Sequence, residues 1–520
     1  VSLHEQVRGR FLASDHSWVA NNVPKISGFS TDPDLMFMVG QSLANSGRPE
    51  AGIPYIRRSL AINPLIDERW CILCDHLAES GFSQEAERIA TDRLRYTNSR
   101  EYYYIIAYCL TLRKQYEAAV LWYKEYLKKD PLNVTALNNL GNCYRFLGDP
   151  HSAIEYYKEV VRLKPDHVTT MCNLIPVLMD IGRIEEAKVV GEVAMKNPAF
   201  LIEGAFNYSL VLLATGDYLN GWALYQLRNR IPQFQDSVPK IKGERLISIG
   251  KVVGKPVTVH HEQGYGDTLH FCRYLPFLAK IASEVHVVAP KPLHSLLELL
   301  PGIKSVNDRR MQDTPYECAM LDLPYLFQTT LNTIPNNNYF EISKDVVKKR
   351  KLKTAKSSKL KVGLVWAGER RAYDPVLLHT DMRRSTKLSQ WTPILEVEGI
   401  DFYSMQYGTP AGEVLELPEH LQPIDLKGPN PDFLDTAAGM AQLDLMISVD
   451  TSSCHLSAGM GIPTWVLSRF DSCWRWLQNQ PTTRWYPSMR IFGQQKWGEW
   501  DSVVQEIAEE LKKLVTSRKS

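Results

Sequence analysis

The sequence predicts an all-α repeat array followed by α/β structure: a solenoid of paired helices, then two Rossmann-like domains. Three observations carry this. Glycines at Gly47, Gly81, Gly148, Gly182 and Gly216 stand 34 residues apart, or twice that within one residue. In the same phase Ala119, Ala153, Ala187 and Gly221 recur every 34. Beyond about residue 245 the helical period gives way to short β-branched runs alternating with helical stretches, the pattern of βαβ units and a parallel sheet.

Taken in order, residues 1–31 are a lead-in, and the repeats occupy 32–235 in about six copies. Each unit reads as two amphipathic helices. In the fourth, the small and apolar residues of 136–144 keep helical spacing, Gly148 ends the helix, and Ala153, Ile154, Tyr157, Val160 and Val161 form the next stripe before Pro165. The unit resembles the tetratricopeptide repeat. Stacked hairpins of this kind have a concave face that holds a peptide or a partner helix, so a protein partner is expected here. The many tyrosines, among them Tyr102, Tyr123 and Tyr157, are read as helix packing.

An N-terminal Rossmann-like domain is expected over 236–345, with strands at 256–261 and 284–288 and helices at 269–281 and 293–300. A linker at 346–361 leads to a second domain over 362–500, with strands at 360–366, 401–405, 443–449 and 463–467. The 501–520 segment is an amphipathic helix. Two such domains leave a cleft at the carboxyl ends of their strands, where ligands bind in open α/β sheets.

Two segments fall there. Glu262-Gln263-Gly264-Tyr265-Gly266-Asp267-Thr268 follows the opening strand and enters a helix. Gly264 and Gly266 permit a tight turn and close approach to a ligand, and free amides at the helix start favour an anion. With Leu269 in the third glycine position and no Gly-Lys-Ser/Thr, this is neither a dinucleotide fingerprint nor a P-loop, and Asp267 reads equally as a helix cap. In the second segment a strand ends at Asp450, and Thr451, Ser452 and Ser453 then open a helix, a seat for a diphosphate, with His455 on the first turn.

These stretches, with Val362-Gly363-Leu364-Val365-Trp366-Ala367-Gly368, Asp381-Met382-Arg383-Arg384-Ser385, Trp474-Arg475-Trp476-Leu477 and Trp485-Tyr486-Pro487-Ser488-Met489-Arg490, resemble bacterial tetratricopeptide-repeat glycosyltransferases. The catalytic half is similar to heptosyltransferases and, more distantly, to O-GlcNAc transferases. The resemblance implies a GT-B fold, an inverting transfer from a nucleotide-diphosphate sugar, and no divalent metal or resident cofactor. It implies Asp267 as general base. Gly264, Gly266, Gly368, Arg383, Arg384, Gln406, Thr451, Ser452, Ser453 and His455 would lie on the donor. It also implies a C-terminal helix packed back across the N-terminal half. One departure stands out: relatives commonly read Leu-Gln-Lys-Gly where this chain has Met405-Gln406-Tyr407-Gly408, so a phosphate-neutralising lysine is missing, with Arg384 or Lys387 as its substitutes.

The expected activity is therefore transfer of a sugar to a protein Ser or Thr hydroxyl, with the repeats recruiting the acceptor. The alternatives are a lipid-linked or surface-glycan acceptor, or an interaction scaffold whose α/β half has lost turnover. Asp32-Pro33-Asp34 opens a repeat helix and reads as a cap rather than a metal site. Nine scattered cysteines argue against a disulfide scaffold and for a reducing compartment. With no signal peptide and no run of ~18 apolar residues, a cytoplasmic location without an integral membrane segment is expected. The net charge of +2 argues against nucleic-acid binding. That balance conceals a basic strap: residues 344–361 hold nine Lys or Arg against Asp345 alone, leaving 51 basic and 57 acidic residues elsewhere.

Overall fold

A computed structural model describes residues 3–25, 29–197, 202–234, 238–350, 357–369, 375–426, 432–478 and 480–519. The chain divides into two compact units, Val1–Thr170 and Met171–Ser520.

The first unit opens with helices Leu3–Leu12 and His16–Asn22 and continues in four consecutive helix pairs: Pro33–Asn45 with Pro49–Ile62, Asp67–Glu79 with Ser83–Leu94, Arg100–Leu112 with Tyr116–Lys129, and Val134–Phe146 with Pro150–Leu163. Asp32 caps the first of these, accepting from the Asp34 and Leu35 amides at 2.9 and 3.1 Å. The turn inside each pair needs a left-handed residue. Gly47, Gly81 and Gly148 supply it with φ of 79°, 87° and 76°, and Lys114, at φ 60°, takes the position where the series lacks a glycine. Small residues let paired helices approach: a Cβ on Gly141 would lie 2.6 Å from the Tyr157 ring. Tyr102, Tyr123 and Tyr157 are fully buried, as packing residues should be.

The second unit carries helices Ile184–Ala194, Ile202–Ala214 and Tyr218–Tyr225, with Gly182 and Gly216 again left-handed, and then two sheets. The first sheet comprises β1 (Glu244–Arg245), β2 (Val257–His260), β3 (Val285–Val288), β4 (Ile303–Asn307) and β5 (Tyr316–Ala319) in the order β1-β5-β2-β3-β4, parallel throughout. The second comprises β6 (Leu360–Val365), β7 (Ile400–Ser404), β8 (Ile424–Asp425), β9 (Leu445–Val449), β10 (Thr464–Ser468), β11 (Thr482–Thr483) and β12 (Tyr486–Gly493). Its order is β11-β12-β10-β9-β6-β7-β8, parallel except for the β11–β12 pair. The order reverses between β2 and β5 in one sheet and between β6 and β9 in the other. Crevices open at such reversals, where the connections leave the strand ends in opposite directions.

Several boundaries differ from expectation. The helix expected at 269–281 begins earlier, as Tyr265–Phe271, and is broken by a 3₁₀ turn, Cys272–Tyr274, before Leu275–Ala279. Pro276, which lacks an amide proton, sits in the first turn of that last piece and prevents one continuous helix. Part of the 346–361 strap is helical, Lys344–Arg350, while residues 351–356 lie outside the described residues. The C-terminal helix Asp501–Lys519 does not pack across the first α/β half. Its Val503, Val504, Ile507, Ala508 and Leu511 join the core of the second sheet with Trp366, Trp391 and Ile400. Arg490 pairs with Glu510 at 2.5 Å, and Arg518 with Asp444 at 2.9 Å.

A buried ionic knot holds the repeat-like helices to the first sheet. Arg228 donates to both oxygens of Glu262 at 2.8 Å and to Asp322 at 2.7 Å, and Arg245 reaches the other Asp322 oxygen at 2.8 Å. Burial holds Glu262 above its ordinary value despite Arg228 beside it, and opposes charge on Arg228, which Asp322 and Glu262 nevertheless keep firmly protonated. On the other side, Trp485 Nε1 donates to the Tyr218 hydroxyl at 3.0 Å, and Trp222 packs edge-on against Trp474 with centroids 5.3 Å apart.

Candidate active site

The segments after β2 and β9 meet at the two reversal points. Gly264 is the N-cap of helix Tyr265–Phe271, and Asp267, the third residue in, accepts from the Gly264 amide at 3.3 Å, so the cap reading of Asp267 is correct. Its other oxygen, Oδ1, accepts from Arg475 Nη2 at 2.6 Å. Gly266 faces the second segment: a Cβ there would lie 3.3 Å from the His455 ring, 3.5 Å from Ser452 Cα and 3.6 Å from the Ser452 amide nitrogen. A side chain at Gly266 would thus come into close contact with the second helix, so the two helix starts pack tightly here. Thr451 is the N-cap of helix Ser452–Gly459, with its hydroxyl 3.3 Å from that of Ser448, and Ser452 and Ser453 form the first turn.

His455 is buried on that helix. Its Nδ1 lies 3.0 Å from the Tyr486 hydroxyl, which is also 2.9 Å from His270 Nδ1, and its ring stacks on Trp476 at 5.7 Å. Burial, reinforced by the positive charges of Arg475 and Arg273, holds His455 well below the usual histidine value, so it is neutral at pH 7 and acts as a hydrogen-bonding group.

The remaining expected donor residues fall into two groups. Gly368 and Arg384 adjoin the seat. The Gly368 amide donates to Ser385 Oγ at 3.1 Å, a Cβ on Gly368 would meet the Arg384 guanidinium at 2.8 Å, and Arg384 pairs with Asp381 at 2.9 Å and reaches the Asp450 carbonyl at 3.4 Å. Arg383 and Gln406 are otherwise engaged. Arg383 turns to Asp180 at 3.0 Å and Asp471 at 3.5 Å. Gln406 clips the end of β6 to that of β7: its carbonyl oxygen accepts from the Trp366 and Ala367 amides at 3.0 and 2.9 Å, and its amide donates to the Ala367 and Tyr407 carbonyls, both at 2.9 Å. Tyr407, in place of the lysine, sits with its hydroxyl 3.0 Å from Thr436 Oγ1.

Arg475 is the site residue that the sequence did not single out, although the Trp-Arg-Trp-Leu stretch was visible. It belongs to a 3₁₀ turn, Trp474–Trp476, whose other end is tied down by Trp476 Nε1 donating to Asp450 Oδ2 at 3.0 Å. The guanidinium carbon lies 4.3 Å from the Trp474 ring centroid and 5.6 Å from that of Phe271. Asp450, Cys454 and His455 bring potential ligand atoms within 4.8 Å of one another. Within that set the Cys454 sulfur donates to the Thr451 carbonyl at 3.0 Å and Asp450 Oδ2 accepts from Trp476 Nε1 at 3.0 Å, so both already have partners within the protein. A cavity of about 600 Å³ lined by Leu219, Trp222, Ile247, Tyr325 and Phe327 shares none of these residues.

Residues 75–133 and 134–167 each match the tetratricopeptide repeat. The first half therefore carries these repeats. Protein FlbA of Caulobacter vibrioides is 27% identical over 443 residues, covering 77% of this chain and 68% of FlbA, a span too long to be confined to the repeats. Among solved structures, a thermophilic tetratricopeptide-repeat protein of Thermus thermophilus is 19% identical, covering 35% of this chain and 99% of that one with a TM-score of 0.31. Pseudomonas aeruginosa PilF is 15% identical, covering 39% of this chain and 92% of that one with a TM-score of 0.35. No helix among the described residues is long and apolar enough to cross a membrane.

Proposed function

We propose that the protein is a metal-independent, inverting glycosyltransferase of GT-B type, moving a sugar from a nucleotide-diphosphate donor to a Ser or Thr hydroxyl of a protein recruited by the repeats. The observation that supports this reading is the packing of helix Tyr265–Phe271, which bears Asp267, on helix Ser452–Gly459, which opens on hydroxyl residues. A carboxylate suits proton removal, and fixed amide and hydroxyl donors suit a diphosphate.

In the reaction, the acceptor oxygen attacks the anomeric carbon from the face opposite the leaving group while its proton passes to Asp267. The bond from that carbon to the diphosphate oxygen breaks, and its electron pair leaves with the nucleoside diphosphate. Thr451, Ser452, Ser453 and the amides of their helix start hold the charge that develops there, with Arg384 close by. Neutral His455 contributes a hydrogen bond rather than a charge. Gln406 supports the site by shaping the end of β6, and Arg383 by anchoring to Asp180 and Asp471. The repeats are the reason for a protein acceptor, since a small glycan needs no peptide-binding array.

Purified protein is to be assayed for nucleoside-diphosphate release from a panel of nucleotide sugars, with mass spectrometry of proteins coexpressed with it. Sugar-modified Ser or Thr peptides, and loss of transfer by about 10²–10⁴-fold in Asp267→Asn with nucleotide binding retained, are the expected results. Undiminished transfer in that variant removes Asp267 from the mechanism; release of nucleoside diphosphate with modification of glycans alone moves the acceptor to the glycan class.

A further inference from the structure

We propose that the Arg475–Asp267 ion pair is a latch opened by the donor: the diphosphate takes the Arg475 guanidinium, and the Asp267 oxygen so released becomes the proton acceptor. This rests on the glycosyltransferase reading and adds to it an order of binding, donor before acceptor.

The pair joins the two α/β halves through residues 208 apart in sequence, at 2.6 Å. With Oδ1 accepting from Arg475 and Oδ2 from the Gly264 amide, both carboxylate oxygens are already engaged by donors, so the pair as it stands blocks the approach of an acceptor hydroxyl and holds the base idle. Arg475 is only 9% exposed, yet it is under-satisfied. Asp267 engages one of its nitrogens, Nη1 rests on Cys473 Sγ at 3.2 Å, and Nε is buried with no hydrogen-bond partner. A desolvated guanidinium with a spare donor is poised for an anion that can accept two parallel hydrogen bonds, as a phosphate does and a single carboxylate oxygen does not.

The backbone adds an independent sign. Ser472, Leu477 and Gln478, which bracket the Arg475 turn, have φ of 44°, 44° and 58°, and Gln263, just before the Asp267 helix, has φ of 62°. None is glycine. Left-handed non-glycine residues are strained and gather where surrounding structure must hold a functional geometry. That geometry keeps Arg475 on a turn tied to Asp450, the residue immediately before Thr451, so an anion seated on Thr451–Ser453 comes up beside the pair. Diphosphate and carboxylate then compete for one guanidinium, and the more highly charged, bidentate partner wins.

The test is isothermal titration of the full chain, at low salt, with UDP, GDP and inorganic pyrophosphate. If the latch exists, Asp267→Asn binds about tenfold tighter than wild type because the internal competitor has lost its charge. Arg475→Gln binds about tenfold more weakly, and the double variant binds no tighter than Arg475→Gln alone. Unchanged or weaker binding by Asp267→Asn overturns the latch and leaves the glycosyltransferase reading standing. Absence of binding of all three probes to both wild type and Asp267→Asn overturns that reading and the latch with it. Should Arg475→Gln fail to fold, Asp267→Asn carries the test alone, since Asp267 is partly exposed and the asparagine oxygen still accepts from the buried Arg475 guanidinium.

Discussion

Removing the Gln406 carboxamide deprives the Trp366 and Ala367 amides of their acceptor in a buried setting. Gln406→Ala is accordingly expected to cost about 1–3 kcal/mol in chemical unfolding, more than a surface substitution and without any ligand present. The histidines give a pH signature. His270 and His455 are both held well below the ordinary histidine value, chiefly by burial and then by Arg273 and Arg475. The unfolded chain takes up protons as the pH falls through about 6.5 while the folded one does not, so the unfolded state binds more protons and stability declines with falling pH. Thermal unfolding midpoints should drop below pH 6.5, and His270→Phe should flatten that decline; an unaltered slope would assign the acid sensitivity to other groups. At this scale the sequence revealed what is local. Gly264, Asp267 and Thr451–Ser453 were legible because glycines and hydroxyls at a helix start follow from neighbours in the chain. Arg475 on Asp267, Arg383 on Asp180 and the Gln406 clip were not, because each depends on a partner brought close only by folding.

Secondary-structure elements follow the same division. The turns of the repeat array were legible because a left-handed residue is a local demand, and the one exception is instructive. Lys114 meets that demand without being glycine, at a cost of about 1–2 kcal/mol. Lys114→Gly is exposed and needs no rearrangement, so it should stabilise the first unit by about 1 kcal/mol after allowing for the greater freedom of the unfolded chain, visible as a higher thermal midpoint. Strand β12 escaped the reading because Tyr486–Gly493 contains a proline and is sheltered by the long-range β10 pairing rather than marked by its own alternation. The fate of the C-terminal helix was equally non-local: its apolar stripe specified burial, and the choice of sheet was made by Trp366, Trp391 and Ile400.

For the molecule as a whole, the knot of Arg228, Glu262, Asp322 and Arg245 should be energetically critical. Arg228→Met strands the buried Glu262 and leaves Asp322 with Arg245 as its only cation, and is expected to destabilise the second unit by ~3–5 kcal/mol, whereas replacing the whole knot with apolar residues of similar volume should cost much less. Urea unfolding of the single and combined variants checks this. The same knot, together with Tyr218 on Trp485, also bears on descent. Repeat arrays ordinarily gain and lose units freely, since each contacts only its neighbours. Here the helices from Met171 onward share one compact body with the sheets, and deleting the hairpin Ile202–Ala214 with Tyr218–Tyr225 would uncover Trp485. Duplications and losses that alter the reach of the array can therefore accumulate on the N-terminal side of Thr170, while the helices behind it are inherited as part of the α/β body.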